Sequence, residues 1–216
     1  MDDTFAGTLA GALVSGAAVT IEVTAGSLIV ALIIGIALAT SEFLSDNSLL
    51  RIAIRFYVES LRNIPSLTFL FLLYFGLASL GFRLSSIAAG VAGLGMIGGA
   101  ICVDIFRSGL QSVPVGQSEA AASIGLTPFA AFRLIVVPQG LRLALPSIGN
   151  YAVSLVKDTS LVAAIAAPEI LFNARQLVNE TFETTLIYGG AAAVYLILTS
   201  VVARSVALIE QKLEIR

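Results

Sequence analysis

The side chains that could do chemistry are few, and they stand beside or within long apolar runs. Asp104 lies near the end of one run, Lys157-Asp158-Thr159-Ser160 ends another, and Arg62-Asn63 begins a third. A charge at the bilayer centre costs about 2.5–3.5 kcal/mol on insertion scales, so such residues usually face protein or water and often mark a pathway. These positions are therefore the candidates for binding a solute.

Each candidate also has a structural interpretation, which the sequence leaves open. Asp104 could pair with Arg107, three residues later on the same helix. The Asp158 run could be a capped helix end at the membrane surface, and Arg62 could extend to the lipid headgroups. Glu22, inside the first apolar run, is expected to pair within the chain rather than join a site.

Composition predicts a membrane protein and argues against several kinds of active site. Hydrophobic residues make up 57% of the 216 residues and charged residues 12%, about half the charged fraction of a soluble domain. Histidine is absent and Cys102 is the only cysteine, which argues against zinc, haem, iron–sulfur and Ser-His or Cys-His chemistry. We predict no metal and no cofactor in this chain.

Five segments are long enough to cross a hydrocarbon core, which takes about 20 helical residues. They predict an all-α integral membrane fold, with one transmembrane domain over 1–216 and no internal repeat. The predicted spans are about 12–40, 57–80, 85–106, 138–156 and 184–203.

The distribution of Lys and Arg predicts the orientation of the spans. With the N-terminus outside, the inner loops and tail hold Arg51, Arg55, Arg107, Arg133, Lys212 and Arg216. The outer segments hold only Arg83 and Arg175, together with Asp2, Asp3, Glu169, Glu180 and Glu183. The prediction is N-out and C-in, with the loop after the third span in the cytoplasm.

That loop, about 115–137, has the local signals of two short helices joined by a turn. Alanines favour a helix over 118–124, Gly125 suits the left-handed residue that ends it, and Thr127-Pro128 suits the start of the next. Pro138 is expected to bend or restart the chain. A basic face for DNA is missing, since Arg133 is the only cation here. The shape favours docking into a partner.

The same loop carries a family resemblance. Glu119-Ala120-Ala121, then Gly125, Ile135 and Val137-Pro138 at fixed spacing, resembles the EAA signature of ABC importer permeases, with Val137 where leucine is usual. The resemblance implies that this loop is a coupling helix between the third and fourth spans. Glu119, Ala120, Ala121, Gly125 and Pro138 would then belong to the contact with an ATP-hydrolysing subunit.

Flanking segments resemble the polar amino acid branch of that family, although Asn63-Ile64 stands where Gly-Thr is more usual. These segments are 61–65, 106–117, 141–150 and 155–161. The resemblance implies five spans, a second permease subunit (identical or homologous), two ATPases, an external solute-binding protein and a prokaryotic inner membrane. An amino acid needs an acceptor for its ammonium and donors for its carboxylate, so Asn63, Asp104, Asp158, Thr159 and Ser160 are the predicted substrate contacts.

The sequence around the two lysines indicates that ATP is bound by another subunit. A P-loop needs Gly-Lys followed by Ser or Thr to hold phosphates and Mg²⁺, whereas Lys157 precedes Asp158 and Lys212 precedes Leu213. ATP and Mg²⁺ are therefore expected on the partner, and this chain is predicted not to be an enzyme. The alternatives are a permease for another small solute, an ion-coupled carrier, whose usual inverted repeats are not evident, and an intramembrane enzyme.

Overall fold

The computed structural model describes residues 3–212, and side chains from residue 5. Within this range all of the regular secondary structure is helical, and no strand is present. Eight helices follow in order: α1 Asp3–Leu44, α2 Ser48–Asn63, α3 Ser66–Ser79, α4 Ser86–Gln111, α5 Val115–Ser123, α6 Pro128–Ile165, α7 Ile170–Thr181 and α8 Thr184–Lys212. Asp2 and Arg216, which the predicted orientation uses, lie outside the described residues.

Four helices are long and apolar enough to cross a membrane: α1, α4, α6 and α8. The second predicted span is different, because α2 and α3 are bent by 105° where they meet. Pro65 biases the residue before it towards extended backbone, and Ile64 has φ −82° and ψ 131°. A fifth span therefore exists only if this bent pair is counted as one.

The fourth predicted span is longer than expected, and Pro138 does not restart the chain, because it lies within one continuous helix. Helix α6 passes through a π-helical segment at Phe132–Val136, continues as α-helix over Val137–Asp158, and ends as a 3-10 turn at Thr159–Ile165. The wide turn accommodates the proline, because Val137 N–H donates to Phe132 O, five residues earlier. The second short helix predicted after Thr127 is thus the start of a spanning helix.

Helices α1 and α4 form the centre of the structure, and glycines set their distance. The α4 glycines Gly90, Gly93, Gly95, Gly98 and Gly99 are all buried. A Cβ added at any of them would come within 2.9 Å of a side chain of the same chain. Small residues allow such close approach between membrane helices. These glycines therefore serve packing inside the chain.

Candidate functional site

Helix α5 and its turn have the geometry that the sequence predicts. Gly125 has φ +81°, and the turn closes with two hydrogen bonds, Leu126 N–H to Ala121 O (3.1 Å) and Gly125 N–H to Ala122 O (2.9 Å). This is a Schellman ending, which satisfies the last carbonyls of a helix. Thr127 Oγ1 then accepts from Ala130 N–H at 3.3 Å, and Pro128 occupies the first turn of α6. The predicted cap and helix stop are confirmed.

The signature residues of α5 divide between two sides of the helix. Glu119, Ala120 and Gly125 are exposed, whereas Ala121 is 1% exposed. Ala121 therefore packs α5 against its own chain and is not presented on the surface. Pro138 is exposed on α6.

Three large apolar residues near the exposed signature residues were not selected by sequence reasoning. Val115, Ile124 and Phe129 are 72%, 76% and 61% exposed. An apolar side chain left this exposed next to a short helix is typical of a contact surface. Their clustering around the signature could have been noticed in the sequence, because all three lie within ten residues of Glu119.

The base of α5 is connected to the end of α1. Phe132, in the π segment, stacks on Phe43 with ring centroids 4.9 Å apart. Both rings line a cleft of about 360 Å³ together with Ser118 and Ala122 of α5. A displacement of α5 would therefore change the contacts of α1 as well as those of α6.

Asp104 lies in a chain of charges that joins three helices. Its carboxylate accepts from Arg62 of α2 and from Arg107 of α4. Arg107 also reaches Glu42 of α1 at 3.4 Å. The interpretation of Asp104 as the partner of Arg107 is confirmed, and Arg62, for which the sequence left anchoring at headgroups open, also pairs with Asp104.

Arg62 and Asp104 both line a cleft of about 440 Å³ between α2, α3 and α4. The rest of its lining is apolar apart from Ser66, and consists of Leu61, Ile64, Ile97, Ile101 and Ile105. A few convergent polar groups in an apolar concavity are the usual composition of a small-molecule site. A guanidinium and a carboxylate side by side can bind an anion and a cation of one small molecule.

The other predicted substrate contacts do not line this cleft. The Asn63 side chain donates to Glu59 O of its own helix at 2.7 Å. Thr159 is fully buried and donates to Val156 O at 2.7 Å, while Asp158 is exposed and Ser160 half-buried. The α-helical part of α6 ends at Asp158, where the structural interpretation expected a helix end, and the chain continues as a 3-10 turn over Thr159–Ile165.

Glu169, predicted only as an outer charge, is fully buried. Its carboxylate accepts from Phe172 N–H at 2.8 Å, capping α7, and from the Tyr195 hydroxyl of α8. Burial raises the pKa of Glu169, against the opposing effect of the Tyr195 and backbone hydrogen bonds. Glu is not among the residues that usually cap a helix, so no local signal in the sequence marked this role.

Glu22 was predicted to pair within the chain, but the described residues give it no partner. It is exposed on α1 and makes no ion pair there. Residues 3–212 also contain no cluster of three or more His, Cys, Asp or Glu side chains able to hold a metal ion.

Comparison with known proteins connects this arrangement to transporters. Residues 31–215 match the family described as binding-protein-dependent transport system inner membrane component. A probable amino-acid ABC transporter permease of Bacillus subtilis is 32% identical over 93% of this chain and 88% of its own length. A probable glutamine ABC transporter permease of the same organism is 36% identical over 73% of each chain.

Solved structures agree. A chain from the crystal structure of an amino acid ABC transporter with histidines superposes with a TM-score of 0.90, at 27% identity, covering 98% of this chain and 99% of that one. A chain of an inward-facing methionine ABC transporter shares the fold, with a TM-score of 0.83 at 18% identity over the same shares. The chain described here therefore belongs to the family of binding-protein-dependent transport system inner membrane components, the permease subunits of ABC importers.

Proposed function

We propose that this permease carries polar amino acids into a prokaryotic cell by alternating access. The observation that supports it most is the similarity over nearly the whole chain to permeases and a transporter that are named for amino acids. The chain acts as a single membrane domain and uses energy released on a separate ATPase.

The proposed topology has five spans, with the N-terminus outside and the C-terminus inside the inner membrane. Helices α1, α4, α6 and α8 each form one span, and the bent pair α2–α3 forms the other. The positions of Arg51, Arg55, Arg107 and Arg133 support this orientation, because it places all four on the cytoplasmic side.

Helix α5 is the proposed docking element for the ATPase, which binds the ATP and Mg²⁺. Glu119 and Ala120 are exposed for contact, with Val115, Ile124 and Phe129 as an apolar border. Ala121, Gly125 and Pro138 shape the segment, by packing, by its turn and by the π segment before the proline. The complete transporter contains two ATPases, a second permease subunit and an external solute-binding protein.

The proposed substrate site is the cleft between α2, α3 and α4. Arg62 offers donors to the α-carboxylate, and Asp104 offers an acceptor to the α-ammonium. Both are held by ion pairs in this structure, so binding exchanges part of one pair for the solute. Asn63 stands at the edge of the cleft. Asp158 and Ser160 are proposed as contacts elsewhere on the path, whereas burial gives Thr159 a packing role.

Reconstitution tests the proposal. The permease, its ATPase and its binding protein are placed in vesicles, and uptake of labelled amino acids is measured with and without ATP. We expect ATP-dependent uptake of a polar amino acid. ATP-independent uptake, or uptake only of a solute that is not an amino acid, contradicts the proposal.

A further inference from the structure

A second cleft, of about 380 Å³, lies where α1 and α4 end and α2 begins. Three arginines line it, Arg51, Arg55 and Arg107, and the other lining residues include Glu42 and Gln111. It is separate from the proposed substrate cleft, with which it shares no lining residue.

The three arginines in this cleft differ in their hydrogen bonds and ion pairs. Arg51 pairs with Asp46 at 3.2 Å and donates to Ser45 O at 2.8 Å, and Arg107 is held by Asp104 and Glu42. Within residues 3–212, Arg55 makes no hydrogen bond or ion pair. One guanidinium, supported by two neighbours of the same sign, is thus available to an anion.

The cleft also contains an unused acceptor. Glu42 Oε1 is bonded to Arg107 at 3.4 Å, whereas Glu42 Oε2 is buried and has no partner among the described residues. A buried acceptor without a donor is unfavourable, because it has lost its hydrogen bonds to water. A ligand that brings hydroxyl groups as well as a negative charge would satisfy both features.

Helix α2 presents an apolar surface beside the same cleft. Its buried face is formed by Ile54, Val58 and Leu61. Leu49, Ile52 and Phe56, spaced three and four residues apart on the opposite face, are 63–73% exposed. At 100° per residue, Arg51 and Arg55 fall on the flank between the two faces. Such an arrangement is typical of helices that lie at a membrane interface.

We propose that this cleft binds the headgroup of an anionic phospholipid of the phosphatidylglycerol type. The phosphodiester lies against Arg55, a glycerol hydroxyl donates to Glu42 Oε2, and an acyl chain follows Leu49, Ile52 and Phe56. Basic pockets between spanning helices on the cytoplasmic side suit such headgroups. The proposed orientation places the cleft in the inner leaflet, but the binding itself does not depend on which solute is carried.

Lipid retention tests the proposal on the assembled transporter purified in detergent. Equal amounts of phosphatidylglycerol and phosphatidylcholine with identical acyl chains are added, and the lipids that remain bound are counted by native mass spectrometry. We expect preferential retention of phosphatidylglycerol that survives excess inorganic phosphate. Equal retention of the two lipids, or displacement by phosphate, overturns the proposal, the latter by indicating a soluble anion as ligand.

Two variants and a matched control locate the site. Arg55→Gln is expected to lower phosphatidylglycerol retention about fivefold, the equivalent of about 1 kcal/mol for one cation near an anionic surface. Phe56→Gln, which keeps the charge, is expected to lower it as well. Arg133→Gln removes an exposed arginine from the same end of the molecule and should leave retention unchanged. Retention at the wild-type level in Arg55→Gln, or an equal loss in Arg133→Gln, overturns the assignment.

Discussion

The segment around α5 and the α1–α4 helix pair are built in opposite ways. Helix α5 has nine residues, of which only Ala121 is buried, and its turn closes with bonds inside the segment. The α1–α4 pair joins residues more than sixty positions apart, such as Gly35 and Cys102, with almost no space between backbones. The first region is the proposed contact with another molecule, and the second holds this molecule together. Substitutions should therefore separate transport from stability.

The largest expected effect is on transport, at the turn. In Gly125→Val, a β-branched residue must adopt φ +81°, where such residues are outliers. The turn would change shape and α5 would lose its docking position, so we expect ATP-dependent uptake to fall to background while the protein still reaches the membrane. Uptake into vesicles measures this directly.

Gly116→Val is the matched control for that substitution. Gly116 lies in α5, the helix that this turn ends, has open space around its Cα and needs no positive φ. If both variants lose uptake equally, bulk in α5 and not the turn is responsible. Normal uptake by Gly125→Val would contradict the proposed role of this turn in coupling to the ATPase.

The next effect is on stability, at the helix pair. In Gly35→Ala the new Cβ would meet Cys102 Cβ and lie 3.0 Å from the Cys102 carbonyl carbon. Overpacking against backbone costs about 3 kcal/mol, so we expect a clearly lower melting temperature by circular dichroism. Gly11→Ala, on the same helix with nothing within 4 Å, should be neutral or slightly stabilising. Equal melting of the two variants would show that α1 and α4 are not in close contact.

A smaller loss is expected at the charge chain. Asp104→Asn leaves Arg62 and Arg107 without their shared carboxylate, and partial exposure limits the cost to about 2 kcal/mol. Asp46→Asn, which removes a fully exposed partner of Arg51, should cost less than about 0.5 kcal/mol. Because Cys102 is buried and is the only cysteine, thermal exposure of its thiol to a maleimide dye reports unfolding. Similar costs for the two variants would contradict a structural role for Asp104.

The smallest effect depends on pH. Burial raises the folded-state pKa of Glu169 above the ordinary value of 4.5, so the folded state holds the proton more tightly than the unfolded state. Stability should therefore fall as pH rises through the window above 4.5, by at most about 1.4 kcal/mol per pH unit. Melting curves of Glu169→Gln should lack this slope, whereas Glu180→Gln, an exposed site on α7, should keep it. A slope that persists in Glu169→Gln assigns the titration to another group.

The same contrast explains what the sequence could predict. The ending of α5 and the cap at Thr127 follow from local preferences, and both were predicted. The Arg62–Asp104 pair, the burial of Glu169 and the exposure of Glu22 depend on which helices meet, which no local pattern encodes. The π segment was also missed, because Pro138 alone predicts a break and not a wider turn.

That wider turn has a consequence for the spanning part of α6. A π turn holds about one residue more than an α turn, and one residue corresponds to about 100° around the axis. Phe132–Val136 therefore fixes the angular phase in which Gly140 meets Leu110 and Gly149 meets Val206. Deleting one residue within this segment can be absorbed by closing the wide turn to an α turn, whereas the same deletion after Pro138 would turn every later side chain of α6 by about 100°, towards the wrong neighbour.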